Sequence, residues 1–290
     1  MMTLGELVPV HLEELALSVA RCPEVPKAAA DPSHPCHKVV HSQDHYAGPF
    51  QVPEAWAGSL GTAKVVFLSS NPSISAAHPE ATATYRRLAE KYPTADWDDA
   101  LIADFMTHRF DSNHSWVNEE LRHLKEDCVS RGRPEQYWKW IKEQTEALIS
   151  DGAPWHQNAV MTEVVHCKSV EEQGVPEAAA HCSSMHMSRI LGGTPAGLVV
   201  VVGGKARKAL LEAYPQLSAE YPRFGMDEAN GRPDPSQNIL TMTLGGSTRT
   251  ICYLWHRGAS SYGKIVDLAT LYPEDFDRLA LAANLPSTAS

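Results

Sequence analysis

Residues 197–211 read GLVVVVGGKARKALL. The four consecutive valines make a run too short for a helix, and β-branched side chains pack well on a pleated surface. Gly203-Gly204 supplies a turn, and Ala206, Leu210 and Leu211 then follow at helical spacing. A strand that is apolar on both faces belongs in a parallel sheet covered by helices on each side. Working outward, residues 63–69 (AKVVFLS), 159–167 (AVMTEVVHC) and 250–255 (TICYLW) repeat the pattern, and 238–243 adds an edge strand. Helical patterns fall at 80–91, 98–106, 118–129, 135–149, 176–191, 205–213 and 262–271. Alternation of strand and helix predicts an α/β fold with three α/β/α layers, its central sheet mostly parallel and of about four strands. Residues 1–290 form one domain in this reading. Residues 75–155 are too long for a single crossover and read as a helical elaboration on one side of the sheet. The first 61 residues read as an amphipathic helix followed by an irregular loop, 23–61, rich in Pro and His, that something must hold down.

The chain of 290 residues, 43% hydrophobic and 21% charged, has the composition of a soluble globular protein. Lys and Arg number 25 against 35 Asp and Glu, a net charge of −10. That excludes a generally basic nucleic-acid coat but leaves room for a local basic cleft. No run of eighteen apolar residues occurs, so no membrane partner is expected. Six cysteines without a secretory-type N-terminus point to cytoplasmic thiols or metal ligands. Cys22 and Cys36 flank the irregular loop, Cys167 ends the second strand and Cys182 lies in the helix after it. Four such cysteines suit an iron–sulfur cluster or zinc, and plain buried thiols are the alternative. His34, His37, His41 and His45 around Cys36 keep a mixed Cys/His zinc site open, whereas Cys128 and Cys252 read as core.

Ligands of open α/β sheets bind beyond the carboxyl ends of the strands. Here those ends are 69–73 (SSNPS), Thr162-Glu163, Gly203-Gly204 and 256–258 (HRG). They bring an amide, a carboxylate, an imidazole and bare backbone to one place, which is the chemistry of a site.

These residues resemble the uracil-DNA glycosylase superfamily, nearest its iron–sulfur branch. Residues 162–191 (TEVVHCKSVEEQGVPEAAAHCSSMHMSRIL) resemble that branch's strand end, loop, Pro-started helix and second cysteine. Residues 197–211 resemble its strand, glycine turn and helix. The stretch 67–73 (FLSSNPS) resembles the water-binding loop of the mismatch-type branch, and 254–260 (LWHRGAS) the loop after the last strand. Four motifs in order on the right strand ends carry the resemblance. The chain departs from the pattern at Ser69, Ser73 and Arg257, at Val19 where a first cysteine would stand, and at Glu163 where the family has an Asn that reads uracil.

The resemblance implies a monofunctional DNA glycosylase: hydrolysis of the N-glycosidic bond of a flipped, non-standard pyrimidine, leaving an abasic site. Asn71 would hold the attacking water, and His256 would donate to the departing base. Glu163, Phe110 and Ser70 would recognise the base, with Phe110 providing an aromatic face. Arg257, Ser260 and Lys264 would contact DNA. Cys22, Cys36, Cys167 and Cys182 would hold a [4Fe–4S] cluster, with zinc or no metal as the alternatives. A monomer acting on DNA is expected. An ionised Glu163 has only acceptors and suits the amino group of cytosine, whereas a protonated one mimics an amide. Since ordinary cytosine cannot be a target, a modified cytosine of foreign (phage) DNA is the favoured substrate. Uracil repair is the runner-up, and a catalytically silent nucleic-acid-binding protein the third possibility.

Overall fold

The computed structural model describes residues 12–45, 49–72, 92–110, 116–117, 119–121, 136–221, 238–255 and 263–289. Seven strands form one mixed sheet: β1 (Ala57–Gly58), β2 (Val65–Ser69), β3 (Ala159–Glu163), β4 (Leu198–Val202), β5 (Ile239–Leu244), β6 (Ser247–Leu254) and β7 (Thr288–Ala289). The order is β1-β3-β2-β4-β6-β5, with β7 also on β6. The four apolar runs are the central strands, mutually parallel, and β1, β5 and β7 are attached antiparallel.

Both faces of the sheet are buried, which is why these strands do not alternate apolar with polar. Val66, Leu68, Val199 and Val201 face one core, and Val65, Phe67, Leu198 and Val200 the other. The first core is covered by α1 (Leu12–Ala20), α3 (His37–His41), α4 (Asp99–Thr107), α7 (Val175–Gly192), α8 (Gly203–Ala213) and α9 (Pro215–Glu220). The second lies under α5 (Gln136–Leu148), α10 (Ile265–Leu271) and α11 (Pro273–Asn284). Two short helices, α2 (Glu24–Ala30) and α6 (Trp155–Asn158), complete the described residues.

Three expectations need correction. Residues 23–61 are not one irregular loop, because α2, α3 and a 3₁₀ turn at Ser42–His45 order much of the stretch. The 75–155 insertion does not lie on one side of the sheet. Ile102, Phe105 and Met106 of α4 enter the first core, while Trp138, Trp140 and Ile141 of α5 enter the second. The third concerns the start of the helix expected over 118–129: residues 119–121 are non-helical, with Leu121 at φ 60°, and 118 and 122–129 lie outside the described residues. The helix expected at 80–91 lies outside the described residues. Among those described, no helix is long and apolar enough to cross a membrane.

The start of α7 is pressed against α3. A Cβ on Gly174, which has φ +76°, would lie 2.3 Å from the Val39 nitrogen. Only glycine permits both that backbone conformation and that approach.

Candidate active site and cysteine centre

β2 and β3 run parallel with Ser69 opposite Glu163, so their exit loops travel together. The Val164 and Val165 amides donate to Ser69 O and Ser70 O at 3.0 and 2.9 Å, and Ser169 N–H to Pro72 O at 3.2 Å. Asn71 is fixed between the two loops. Its Nδ2 donates to Ser169 Oγ at 2.7 Å, Pro72 O at 2.9 Å and Cys167 O at 3.3 Å. With the amide nitrogen committed, the Oδ1 acceptor is the end left to hold a ligand. Ser70 donates to Glu172 Oε1 at 2.7 Å, and Lys205 lies 3.3 Å from the other oxygen of the same carboxylate. One side chain thereby ties together the exits of β2, β3 and β4.

Glu163 belongs to a buried charge cluster. Glu54 receives Arg109 Nη1 on one oxygen at 2.5 Å and Lys168 Nζ on the other at 2.7 Å. Burial would push the Glu54 carboxyl up, but the two cations outweigh it and hold it at about 2. Neither cation is paired with Glu163, whose Oε2 is enclosed without a hydrogen-bond partner. Burial first, then the charge of Glu54, raises the Glu163 carboxyl well above the ordinary range, and Lys168 and Arg109 offset this only in part. Burial and the neighbouring carboxylate thus both favour the protonated form of Glu163. The Arg109 guanidinium lies 4.3 Å from the Phe105 ring centre and 5.6 Å from that of Trp138. Those rings cover a cation whose Nε and Nη2 find no acceptor. Lys168 lies 4.0 Å from the Tyr92 ring centre.

The Glu54 backbone is locked to His166. Glu54 N–H donates to His166 O at 2.9 Å, and His166 Nδ1–H donates back to Glu54 O at 2.9 Å. Burial depresses His166 to about 3 and His186, its edge-on neighbour at 5.4 Å, to about 4. His186 Nε2 in turn lies 3.3 Å from Cys22 Sγ. The His166 and His186 rings thus lead from the Glu54 backbone to Cys22.

Cys22, Cys36, Cys167 and Cys182 converge as unpaired thiols. In every pair among the four, one thiol is raised by the charge of the other. Burial raises all four, Cys36 to about 11 and Cys182 to about 12, with the neighbouring sulfurs adding to it for Cys36, Cys167 and Cys182. A pocket that holds four thiols and makes each reluctant to ionise suits a metal centre, since a cation supplies the missing charge.

A second cluster, Glu24, His34 and His181, is compact enough to hold a metal ion. Both imidazole Nε2 atoms lie 3.0 Å from Glu24 Oε2. The Cys36 amide, however, donates to His34 Nδ1 at 3.1 Å, so the His34 proton is on Nε2 and is spent on Glu24. As folded, this cluster is a hydrogen-bonded clasp across the loop that carries Cys22 and Cys36.

The structure places Ser70 and Asn71 just past the end of β2 and Glu163 at the end of the adjacent β3, with Asn71 bonded to the Cys167 carbonyl. Phe110 is elsewhere: its ring packs 4.9 Å from Trp138 and 5.1 Å from Trp155, beside the start of β3, because an apolar aromatic cluster there gives it a drier home. The rings that do reach the strand ends are Tyr137, whose hydroxyl is 3.3 Å from Ser69 Oγ, and Tyr92. Lys264 is the N-cap residue of α10. His256, Arg257 and Ser260 lie outside the described residues. Glu54 was invisible in the sequence, since a lone Glu in a Pro-rich stretch carries no periodicity or motif. Lys168 had a signal in its place one residue after Cys167, but no pattern pairs it with Glu54. No family model matches the chain, and no curated protein matches it.

Proposed function

We propose that this chain is a monofunctional DNA glycosylase that hydrolyses the N-glycosidic bond of a flipped, non-standard pyrimidine, with a modified cytosine of foreign (phage) DNA as its favoured substrate. The observation that carries the reading is what stands at the ends of β2 and β3, where Ser69 pairs with Glu163: two residues past Ser69, an amide held by three hydrogen bonds, and at the end of the adjacent strand a buried carboxyl with an enclosed, unpartnered oxygen. Bond cleavage leaves positive charge on the sugar and negative charge on the base. Asn71 Oδ1 would orient water toward the sugar, which such a centre needs more than a strong base. Glu163 would face the base edge, and His256 would donate to the departing base. Lys168 Nζ is engaged by Glu54 at 2.7 Å and Glu54 is buried with it, an arrangement that supports simple hydrolysis over a Schiff-base step.

The four cysteines would hold a [4Fe–4S] cluster that supplies a rigid staple between the N-terminal loop and the strand-end loop. No three of their sulfurs lie within 4.8 Å of one another. A single zinc with Zn–S bonds of about 2.3 Å would have to draw four thiolates to about 3.8 Å apart, closer than any three of them stand together here. An uncharged Glu163 also supports a second reading, uracil repair, because a carboxylic acid can serve as an amide does.

The test offers phage DNA with hypermodified cytosine and uracil-containing DNA side by side and counts abasic sites. Release from either, with Asn71→Ala and His256→Ala each slowed by on the order of 10²–10³ while still folded, is the expected outcome. Release from neither DNA, or near wild-type rates in both variants, would overturn the reading.

A further inference from the structure

The buried charge cluster contains two cations and two carboxyl groups, drawn from four parts of the chain. Glu54 precedes β1, Arg109 follows α4, Glu163 ends β3, and Lys168 lies in the loop between β3 and α7. Both cations are bonded to Glu54, on its two different oxygens, at 2.5 and 2.7 Å. Glu163 is left with neither, and one of its oxygens is sealed off without a partner. A second ionised carboxylate at that place would be buried, unpaired and repelled by Glu54.

We propose that Glu54, by holding both cations, keeps Glu163 as an uncharged carboxylic acid and so decides which base the site accepts. This rests on the glycosylase reading, in which Glu163 faces the base. An uncharged acid carries one O–H donor and one carbonyl acceptor. It therefore matches O4 and N3–H of uracil and, turned over, N3 and the amino group of cytosine. An ionised Glu163 has acceptors only. It could accept from the exocyclic amino group of cytosine on the side away from ring N3, whereas at uracil its one donor, N3–H, is flanked by carbonyl oxygens that repel the carboxylate. Glu54 touches no base in this scheme. It is a positioning residue that acts through the proton on Glu163.

The experiment uses the full chain with infrared difference spectroscopy alongside base release. A protonated-carboxyl C=O band that disappears in Glu163→Gln identifies Glu163. The wild-type protein should show that band at pH 7 and keep it at pH 8. Glu54→Gln removes the carboxylate bonded to Arg109 and Lys168, so both cations then favour an ionised Glu163 and the band should vanish. Uracil release should then fall on the order of tenfold or more relative to release of the modified cytosine, the discrimination of one good base contact. A wild-type protein without the band overturns the proposal. So does a Glu54→Gln protein that keeps the band, or one that loses it with the ratio of the two bases unchanged. If circular dichroism shows Glu54→Gln unfolded, the wild-type spectra at the two pH values decide alone, presence of the band supporting and absence overturning. Wild-type protein that releases neither base refutes the glycosylase reading, while the band still judges what Glu54 does to Glu163.

Discussion

A carboxyl group that stays protonated inside the folded chain leaves a mark on stability. Glu163 is raised by burial and by Glu54, while in the unfolded chain it ionises at the ordinary carboxylate value. Above that value the unfolded state binds one proton fewer than the folded state, so rising pH favours unfolding until the folded group itself ionises. Glu163→Gln removes the titration and keeps a donor and an acceptor. Its stability relative to wild type should therefore grow between pH 5 and pH 8, by up to about 1.4 kcal/mol per pH unit. Urea unfolding at the two pH values checks this, and an unchanged difference would mean that Glu163 titrates alike in both states. Position 163 was legible in the sequence as the polar end of an apolar run. Its charge state was not, because Glu54 and Arg109 reach it only through the tertiary fold.

Among the elements, α7 depends on a residue far from it in sequence. The Leu191 carbonyl near its end, and carbonyls of the segment that follows, are met by the buried Arg249 side chain of β6. The guanidinium donates to Leu191 O at 2.6 Å, to Thr194 O at 3.1 Å, to Ala196 O, and through Nε to Leu244 O at 3.2 Å. A cation at a helix C-terminus also complements the helix dipole. Arg249→Met should strand several buried carbonyls and cost about 2–4 kcal/mol of stability in denaturant unfolding, with base release per folded molecule little changed. The valine-rich strands and the long helices α4, α5, α7 and α8 could be read from periodicity alone, since burial on both faces writes itself into composition. The short helices α2 and α3 could not. Neither has an amphipathic repeat long enough to register, and both owe their place to packing, α3 through its contact with Gly174. The role of Arg249 was hidden for a similar reason, since a charged residue inside a strand pattern reads as a solvent-facing position.

At the scale of the whole molecule, the proposed cysteine centre would join the N-terminal helices to the strand-end loops. Anaerobically purified protein should contain iron, and Cys36→Ser or Cys182→Ser should lower it together with the melting temperature. Elemental analysis that finds neither iron nor zinc in the wild type would remove the metal centre. The pairing of Cys167 with Cys182 was legible in the motif, whereas the convergence of Cys22 and Cys36 on them required the fold, because no close cysteine pair announces it. The charge cluster has one more implication. The chain as a whole carries −10. With Glu163 protonated, however, Arg109 and Lys168 face only the single negative charge of Glu54, so the interior beside the proposed base site holds one positive charge in excess. A pyrimidine is a poor leaving group because it departs as an anion. A fixed positive potential in a dry site lowers the energy of that anion more than that of the neutral substrate, and preorganised fields of this kind accelerate bond breaking. The same arrangement that leaves Glu163 uncharged would thus make the base easier to expel, in an acidic protein whose positive field is turned inward.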